Sequence, residues 1–274
     1  MLNVDYPIID CHTHVFPPKI AHKAVQAIGD FYGIPMKRAG SMKELRTEGK
    51  LYGMEKMLIT STATKSEQVK PINDFLKESQ DAHPELFAFG TLFPEMPEVE
   101  MAAEIDRIIE MGLYGIKLHP DFQRIKADSD GMKRIAKLVA GKLPVLIHAG
   151  DSRYDFSNPD RIRRLIESAP PTFTLIAAHF AGYGVWDEAA EKLCGYDNMY
   201  VDTCSSLEYL KPDRVKELIG LYKEDRVLFG TDYPMWNYKD ELERVERLDL
   251  APDTLKKILY LNARNLFFSK NMLQ

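Results

Sequence analysis

Residues 6–14 read YPIIDCHTH, an apolar run that ends in alternating polar side chains. The apolar start predicts a β-strand, and side chains two positions apart in a strand share one face. We therefore expect Asp10, His12 and His14 to project to the same side, with the two imidazoles next to each other. Two adjacent imidazoles at the end of a strand are typical of a pair of metal ligands.

Short apolar or β-branched runs of this kind recur along the chain, separated by amphipathic stretches. The predicted strands are 8–14, 54–60, 87–92, 115–119, 144–148, 173–179, 199–203 and 227–232. Helices are predicted near 20–30, 66–82, 97–111, 129–141, 158–168, 185–194, 210–222, 238–247 and 252–268. Eight strand–helix units in 274 residues match a TIM (β/α)8 barrel in size and order.

The stretch 32–52 shows no clear element, which predicts a lid over the end of the first strand. No low-complexity segment or Pro/Ser-rich linker divides the chain, so a single domain over residues 1–274 is predicted.

Charge and composition exclude several classes of partner. Lys and Arg number 36 against 41 Asp and Glu, a net charge of −5 with no long run of either sign. This balance argues against nucleic acid or an anionic membrane as partner. The N-terminus lacks a signal-peptide pattern, and no run approaches the roughly 18 apolar residues of a membrane span, so we expect a cytoplasmic protein.

Five predicted strands end in charged or imidazole side chains, although strands buried on both faces should be apolar throughout. These residues are His12, His14, Lys117, His119, His148, His179 and Asp232. A proline or glycine follows each of these strand ends within three residues, so the chain leaves the barrel there. That end of the barrel, the carboxyl end of the strands, is where TIM-barrel active sites are built.

A single histidine at a strand end is more often a hydrogen-bonded rim residue than a ligand. The combination is more informative, because side chains from strands 1, 5, 6 and 8 of a closed barrel converge on its axis. His12, His14, His148, His179 and Asp232 together offer the nitrogen and oxygen ligands that suit zinc and similar divalent ions. We therefore predict a divalent metal site.

The same motifs resemble the amidohydrolase superfamily and, within it, the amidohydrolase 2 family that includes aminocarboxymuconate semialdehyde decarboxylase. The stretches that carry the resemblance are 9–14 (IDCHTH), 115–120 (GIKLHP), 145–150 (VLIHAG), 178–182 (AHFAG), 228–234 (LFGTDYP) and 262–267 (NARNLF). The resemblance implies that His12, His14 and His148 are metal ligands and that Asp232 is a ligand that also transfers protons. It leaves His179 either as a ligand of a second ion or as a contact to substrate or metal-bound water.

Lys117 is ambiguous in the same way. The resemblance implies either a carboxylated lysine that bridges two metals or an ammonium that binds an anionic group of the substrate. We favour a single zinc ion, with two ions as the outcome if Lys117 is carboxylated. A homodimer is expected from the superfamily alone.

The resemblance favours a hydrolase that uses a metal-activated water to cleave an amide, lactone or ester-like bond of a small molecule. Asp232 would accept the proton of this water, and His179 would hold the water or the substrate oxygen. A non-oxidative decarboxylase that uses almost the same residues is the alternative, and a non-catalytic binding barrel is a third possibility. His119 and Arg153 are candidate substrate-binding residues. Asp10 is expected either to orient an imidazole or to make a structural hydrogen bond.

Overall fold

Eight parallel strands follow one another in chain order around a barrel in the computed structural model, which describes residues 4–269. The strands are β1 Ile8–His14, β2 Met54–Thr60, β3 Leu86–Thr91, β4 Gly115–Leu118, β5 Val145–Ile147, β6 Leu175–Ala177, β7 Met199–Asp202 and β8 Val227–Leu228. The barrel closes where Cys11 N–H donates to Phe229 O (2.8 Å) and Asp232 N–H donates to His12 O (2.8 Å). The predicted TIM barrel is confirmed. Residues 1–3 and 270–274, which belong to the predicted domain 1–274, lie outside the described residues.

Helices connect the strands and pack around the barrel. They are α1 Ala21–Tyr32, α2 Met42–Leu51, α3 Val69–Ala82, α4 Glu98–Glu110, α5 Pro120–Gln123, α6 Asp130–Val139, α7 Pro159–Ser168, α8 Trp186–Leu193, α9 Pro212–Tyr222, α10 Tyr238–Arg247, α11 Pro252–Lys256 and α12 Asn262–Phe267. A π-helical turn, Lys257–Leu261, joins α11 to α12. No helix within residues 4–269 is both long enough and apolar enough to cross a membrane.

The apolar core has two parts. The larger part lies between the strands and the surrounding helices. The smaller part fills the inside of the barrel and includes Leu58, Phe89 and Leu146. Phe267 of α12 packs against Phe87 and Phe89, with ring centroids 5.3 and 5.6 Å apart, and so covers the amino ends of the strands. The carboxyl ends of the strands therefore remain available for a site.

Several strands end earlier than the sequence predicts. β4 and β5 stop one residue before His119 and His148, β6 stops at Ala177, and β8 stops at Leu228. His179 and Asp232 have left-handed backbones, with φ values of 61° and 59°, which no extended ladder allows. These polar residues therefore lie just beyond the strands, where the chain turns out of the barrel.

The prediction that 32–52 lacks an element is wrong for its second half, because α2 occupies Met42–Leu51. Ser41 caps this helix through its hydroxyl, which accepts from Glu44 N–H at 3.3 Å. Gly49 faces Met57 of β2 so closely that an added Cβ would lie 2.3 Å from the Met57 sulfur. Within this stretch, Tyr32 and Met36 border the cavity described below.

Candidate active site

A cavity lies at the carboxyl ends of the strands and contains about 650 Å³ of space free of protein atoms, including its opening to solvent. The strand ends contribute its polar lining, namely His12, His14, Lys117, His119, His148, His179 and Asp232. Helices α1 and α5 and the loops contribute a mainly apolar lining, namely Phe16, Ala24, Ile28, Tyr32, Met36, Thr62, Phe122, Pro234 and Met235. An apolar cavity with a few converging polar groups is suited to a small molecule.

The two histidines of β1 present the same nitrogen to this cavity. His12 Nδ1 lies 2.8 Å from Asp202 Oδ2, so this nitrogen carries the proton and donates it to the carboxylate. His14 Nδ1 lies 3.0 Å from the Thr60 hydroxyl, whose own proton goes to Thr13 O at 2.8 Å, so His14 Nδ1 is also a donor. The two Nε2 atoms are therefore unprotonated acceptors, 3.2 Å apart.

His148 and His179 form a second pair of the same kind. His148 Nε2 donates to Gly150 O at 2.7 Å, and His179 Nδ1 donates to Cys204 O at 3.1 Å. These bonds leave His148 Nδ1 and His179 Nε2 as acceptors, and the two atoms are 3.0 Å apart. Two lone pairs again face each other without a proton between them.

Asp232 and Lys117 complete the polar lining at its centre. Asp232 Oδ1 lies 3.1 Å from His14 Nε2, and Oδ2 accepts from the Ser205 hydroxyl at 2.5 Å. Lys117 Nζ lies 2.9 Å from His12 Nε2. Because His14 Nε2 carries no proton, its lone pair faces the Asp232 carboxylate with no hydrogen bond between them. Burial lowers the pKa of Lys117, which Asp232 partly opposes.

These donors fit a divalent metal ion. Burial and the Lys117 charge lower the pKa of His12 to about 4, and burial lowers the pKa of His14 and His148 as well, so these imidazoles are neutral at pH 7. Neutral imidazole nitrogens and a carboxylate are typical zinc-type ligands. His12, His14 and Asp232 offer three such atoms within 4.8 Å of one another. A cation between them would remove the repulsion of the facing lone pairs.

Asp10 does not contact either β1 imidazole. Its carboxylate accepts from the backbone N–H groups of His12 (3.0 Å) and Thr231 (3.1 Å) and from the Thr231 hydroxyl (2.6 Å). The register between β1 and β2 shifts between Asp10 and Thr13, so simple strand alternation does not continue through this segment. Asp10 therefore makes a structural hydrogen bond, and Asp202 orients the His12 ring.

Arg153 is not among the residues that line the cavity. Its Nε and Nη2 donate to the two carboxylate oxygens of Asp151 at 2.9 and 2.7 Å, and its Nη1 donates to Phe31 O at 2.5 Å. Asp151, two residues earlier in the same loop, thus neutralises the charge that was expected to bind substrate. Arg153 therefore fastens α1 to the loop after β5, and its role in substrate binding stays a prediction.

His119 does line the cavity, as predicted for a substrate-binding residue. Its ring stacks between Phe122 and His148, with centroid distances of 3.7 and 4.0 Å. Nδ1 accepts from Phe122 N–H at 3.3 Å, and Nε2 lies 3.1 Å from the Tyr32 hydroxyl.

Sequence reasoning missed Asp202, Thr60 and Tyr32. Asp202 is the last residue of β7, and Thr60 is the last residue of β2. Both are polar groups at strand ends, so the rule that found the histidines also applies to them. Tyr32 lies on α1, and no strand-end signal points to it.

The matching family model and the solved structures agree with this geometry in fold. The chain belongs to the amidohydrolase 2 family, because the family model, described as amidohydrolase, matches residues 9–268. No curated protein matches the chain significantly.

Among solved structures, the chain is similar to a 2,6-dihydroxybenzoate decarboxylase in complex with 2,6-dihydroxybenzoate, at 18% identity over 95% of this chain and 99% of that one, with a TM-score of 0.74. It is also similar to 5-carboxyvanillate decarboxylase from Novosphingobium aromaticivorans with bound manganese, at 19% identity over 96% and 97% of the two chains, with a TM-score of 0.75. A manganese-containing dihydroxybenzoic acid decarboxylase from a Polaromonas species shows 17% identity over 95% and 96%, with a TM-score of 0.73. At these identities the similarity shows the shared fold.

Proposed function

We propose that this protein is a metal-dependent carboxy-lyase that removes CO2 from a small aromatic or similarly unsaturated carboxylic acid. The observation that carries the proposal is the convergence of unprotonated imidazole nitrogens and one carboxylate at the end of an otherwise apolar cavity. The similar solved decarboxylases support this reaction over the hydrolysis favoured by the sequence.

In this proposal His12, His14 and Asp232 hold one divalent ion, with His148 and His179 beside it as further ligands or substrate contacts. The nitrogen-rich donor set suits zinc, and the similar decarboxylases contain manganese. When bound, the ion would polarise a substrate oxygen and disperse the negative charge that develops as the carboxyl group leaves.

The apolar lining favours decarboxylation. A carboxylate is poorly solvated between Phe16, Ile28 and Phe122, whereas the transition state for loss of CO2 spreads the negative charge into the unsaturated system. Hydrolysis instead requires a water molecule and a polar leaving group to be accommodated on this surface.

The proposed reaction breaks the bond between the carboxyl carbon and the ring carbon, and its electron pair stays on the ring carbon. A proton then adds to that carbon as neutral CO2 departs. The Asp232 carboxyl, protonated from solvent, is the proton carrier in this proposal and delivers the proton to that carbon. His179 holds the substrate beside it, and the Ser205 hydroxyl fixes the orientation of the Asp232 carboxyl.

Hydrolysis is the second candidate, and Lys117 is the observation that favours it. The pKa of this buried amine is lowered, so more of the neutral form is available to react with CO2 and form a carbamate. Nζ already lies 2.9 Å from His12 Nε2, where a carbamate oxygen would be a further metal ligand. Two metal ions per chain and a carbamate on Lys117 would support this candidate.

The test combines metal analysis with product analysis in D2O. Protein purified without chelators, or loaded with Mn2+ or Zn2+, is incubated with 2-hydroxybenzoate, 2,6-dihydroxybenzoate and simple unsaturated acids. We expect about one metal per chain, release of CO2, and one deuterium at the carbon that lost the carboxyl group, measured by NMR. His12→Ala should lose both the metal and the activity.

A metal-loaded protein that releases no CO2 from any of these acids but cleaves amides or lactones would replace the carboxy-lyase with the hydrolase. A wild-type protein that neither retains nor rebinds metal would contradict both reactions.

A further inference from the structure

Tyr32 is the last residue of α1, and its hydroxyl lies in the candidate active site. The ring lies edge-on to Tyr183 at a centroid distance of 5.6 Å. The Arg153 guanidinium lies 5.2 Å from the centre of the Tyr32 ring, and the same side chain binds the Phe31 carbonyl next to it. The position of the phenol is therefore fixed from outside the cavity.

The hydrogen bonds of His119 determine whether the Tyr32 O–H proton already has an acceptor in the protein. His119 Nδ1 accepts from Phe122 N–H at the start of α5, so the proton of this imidazole is on Nε2. Nε2–H then donates to the Tyr32 oxygen at 3.1 Å. The Tyr32 O–H proton has no acceptor among the described residues. Burial also raises the pKa of Tyr32 well above its ordinary value, which keeps this proton in place.

We infer that Tyr32 is a specificity-determining residue whose O–H donates a hydrogen bond to a second oxygen of the substrate, a hydroxyl or carbonyl group separate from the carboxylate that is lost. This inference rests on the proposed carboxy-lyase function and names its substrate class: hydroxylated or oxo-substituted aromatic monocarboxylic acids. His119 takes no part in the reaction itself and positions the Tyr32 oxygen.

The charges around the cavity support a monoanion. Lys117 is the one lysine or arginine among the described residues that line the cavity, and it lies with the metal-type donors. Arg153 is near Tyr32 but is paired with Asp151 outside the cavity. A second carboxylate near Tyr32 would therefore have no cation to pair with, whereas an uncharged oxygen needs only the phenol proton.

The experiment measures binding of four acids to the metal-loaded protein by titration calorimetry: benzoate and its 2-hydroxy, 3-hydroxy and 4-hydroxy derivatives. We expect at least one hydroxybenzoate to bind about fivefold to tenfold more tightly than benzoate, as one additional hydrogen bond predicts. In Tyr32→Phe this ratio should fall to about one, while the benzoate Kd and the metal content stay within about twofold of wild type.

Tyr154→Phe is the matched control. This variant removes a phenol from the same aromatic group, because Tyr154 stacks on Phe31 at 5.2 Å, but Tyr154 does not line the cavity. The hydroxybenzoate preference should persist in this control. A preference that persists in Tyr32→Phe, or an equal loss of affinity for all four acids, overturns the inference.

An independent measurement is the 15N NMR spectrum of the His119 ring. We expect the tautomer with the proton on Nε2, and a proton on Nδ1 would overturn the inference, since Nε2 would then accept the Tyr32 proton.

The two proposals fail in different ways. A Tyr32-dependent preference without CO2 release from any acid contradicts the carboxy-lyase and supports the binding role. CO2 release with a preference independent of Tyr32 contradicts the role of Tyr32 alone. No binding of any of the four acids overturns both.

Discussion

At the scale of single residues, the site depends on which imidazole nitrogen carries the proton. Asp202 accepts the Nδ1 proton of His12 from a position 190 residues away in the chain, and both side chains are fully buried. This hydrogen bond fixes the tautomer and directs Nε2 toward the cavity. A carboxylate behind a ligand histidine also increases the basicity of that ligand.

Replacing Asp202 with Ala should therefore weaken metal binding. The change leaves the buried His12 Nδ1–H without its partner and allows the ring to turn, which we expect to reduce metal affinity about 10- to 100-fold. Competition with a chromophoric chelator measures this affinity. Asp202→Asn keeps an acceptor oxygen for the His12 Nδ1 proton and should reduce the metal affinity less than Asp202→Ala.

Asp10→Asn is the control for that prediction, because Asp10 lies on the same strand as His12 but contacts backbone N–H groups and Thr231 rather than an imidazole. Metal affinity in this variant should stay within about threefold of wild type. Equal losses in the Asp10 and Asp202 variants would contradict the role given to Asp202.

The sequence alone was sufficient to place some of the site residues together. Strand periodicity and the polar strand ends placed His12, His14 and Asp232 together. They did not show that Asp202, and not Asp10, contacts the His12 ring. The register shift that turns Asp10 away depends on the pairing of β1 with β2 and cannot be read from the sequence of β1 alone.

At the scale of elements, α1 lies over one side of the cavity and is fastened by a single arginine. The Arg153 fork binds both oxygens of Asp151, and its remaining nitrogen Nη1 binds Phe31 O. The guanidinium also lies 4.9 Å from the centre of the Phe31 ring. Lysine would keep the charge beside Asp151 but cannot reproduce this planar fork.

Arg153→Lys should therefore loosen α1 without removing metal. Loss of roughly 1 kcal/mol of hydrogen-bonding and stacking energy predicts about fivefold faster amide exchange across Ala21–Tyr32 and a similar rise in KM. Hydrogen exchange followed by mass spectrometry measures the first effect.

Arg163→Lys on α7 is the matched control, because the Arg163 and Arg153 side chains are both 38% exposed and both pair with carboxylates. Exchange across α1 should not change in this control. Unaltered exchange in Arg153→Lys would show that α1 is held by its other contacts.

Helix α2 shows what a closer reading of the sequence would have found. Ser41 and Glu44 have the spacing of a capping box, and the Ser41 hydroxyl does accept from Glu44 N–H. The helix buries only Leu45 and Gly49, so its apolar face is too narrow for periodicity to reveal it. Local capping chemistry was the better signal here.

At the scale of the whole molecule, the barrel was predictable because each of its eight units repeats the same apolar run and turn. The proposed reaction was not predictable, because hydrolysis and decarboxylation use the same donors, and the sequence favoured hydrolysis. The apolar lining that supports decarboxylation comes from α1, α5 and loops whose position over the site depends on tertiary packing. Nothing in the sequence around Ile28 or Met36 indicates that these residues line the site.

Stability of the whole molecule should depend on a buried carboxyl that does not line the cavity. Glu241 of α10 is 1% exposed, Oε1 binds Arg244, and Oε2 has no partner among the described residues. Burial raises the pKa of Glu241 from 4.5 to about 8, although Arg244 opposes this. The folded protein therefore keeps this proton up to about pH 8, whereas the unfolded chain releases it near pH 4.5.

Because the folded state binds the extra proton between these two pH values, Glu241 makes stability fall as pH rises through that window, by at most about 1.4 kcal/mol per pH unit. Glu241→Gln should remove this contribution, so the free energy of unfolding should fall less steeply between about pH 5.5 and 7.5 than in wild type. Burial also raises the pKa of Asp10 and Asp121 to about 7, so part of the slope should remain below pH 7. Urea denaturation at several pH values measures the slope. Glu243→Gln on the same helix is the control and should keep the wild-type slope. Identical slopes in wild type and Glu241→Gln would contradict the prediction.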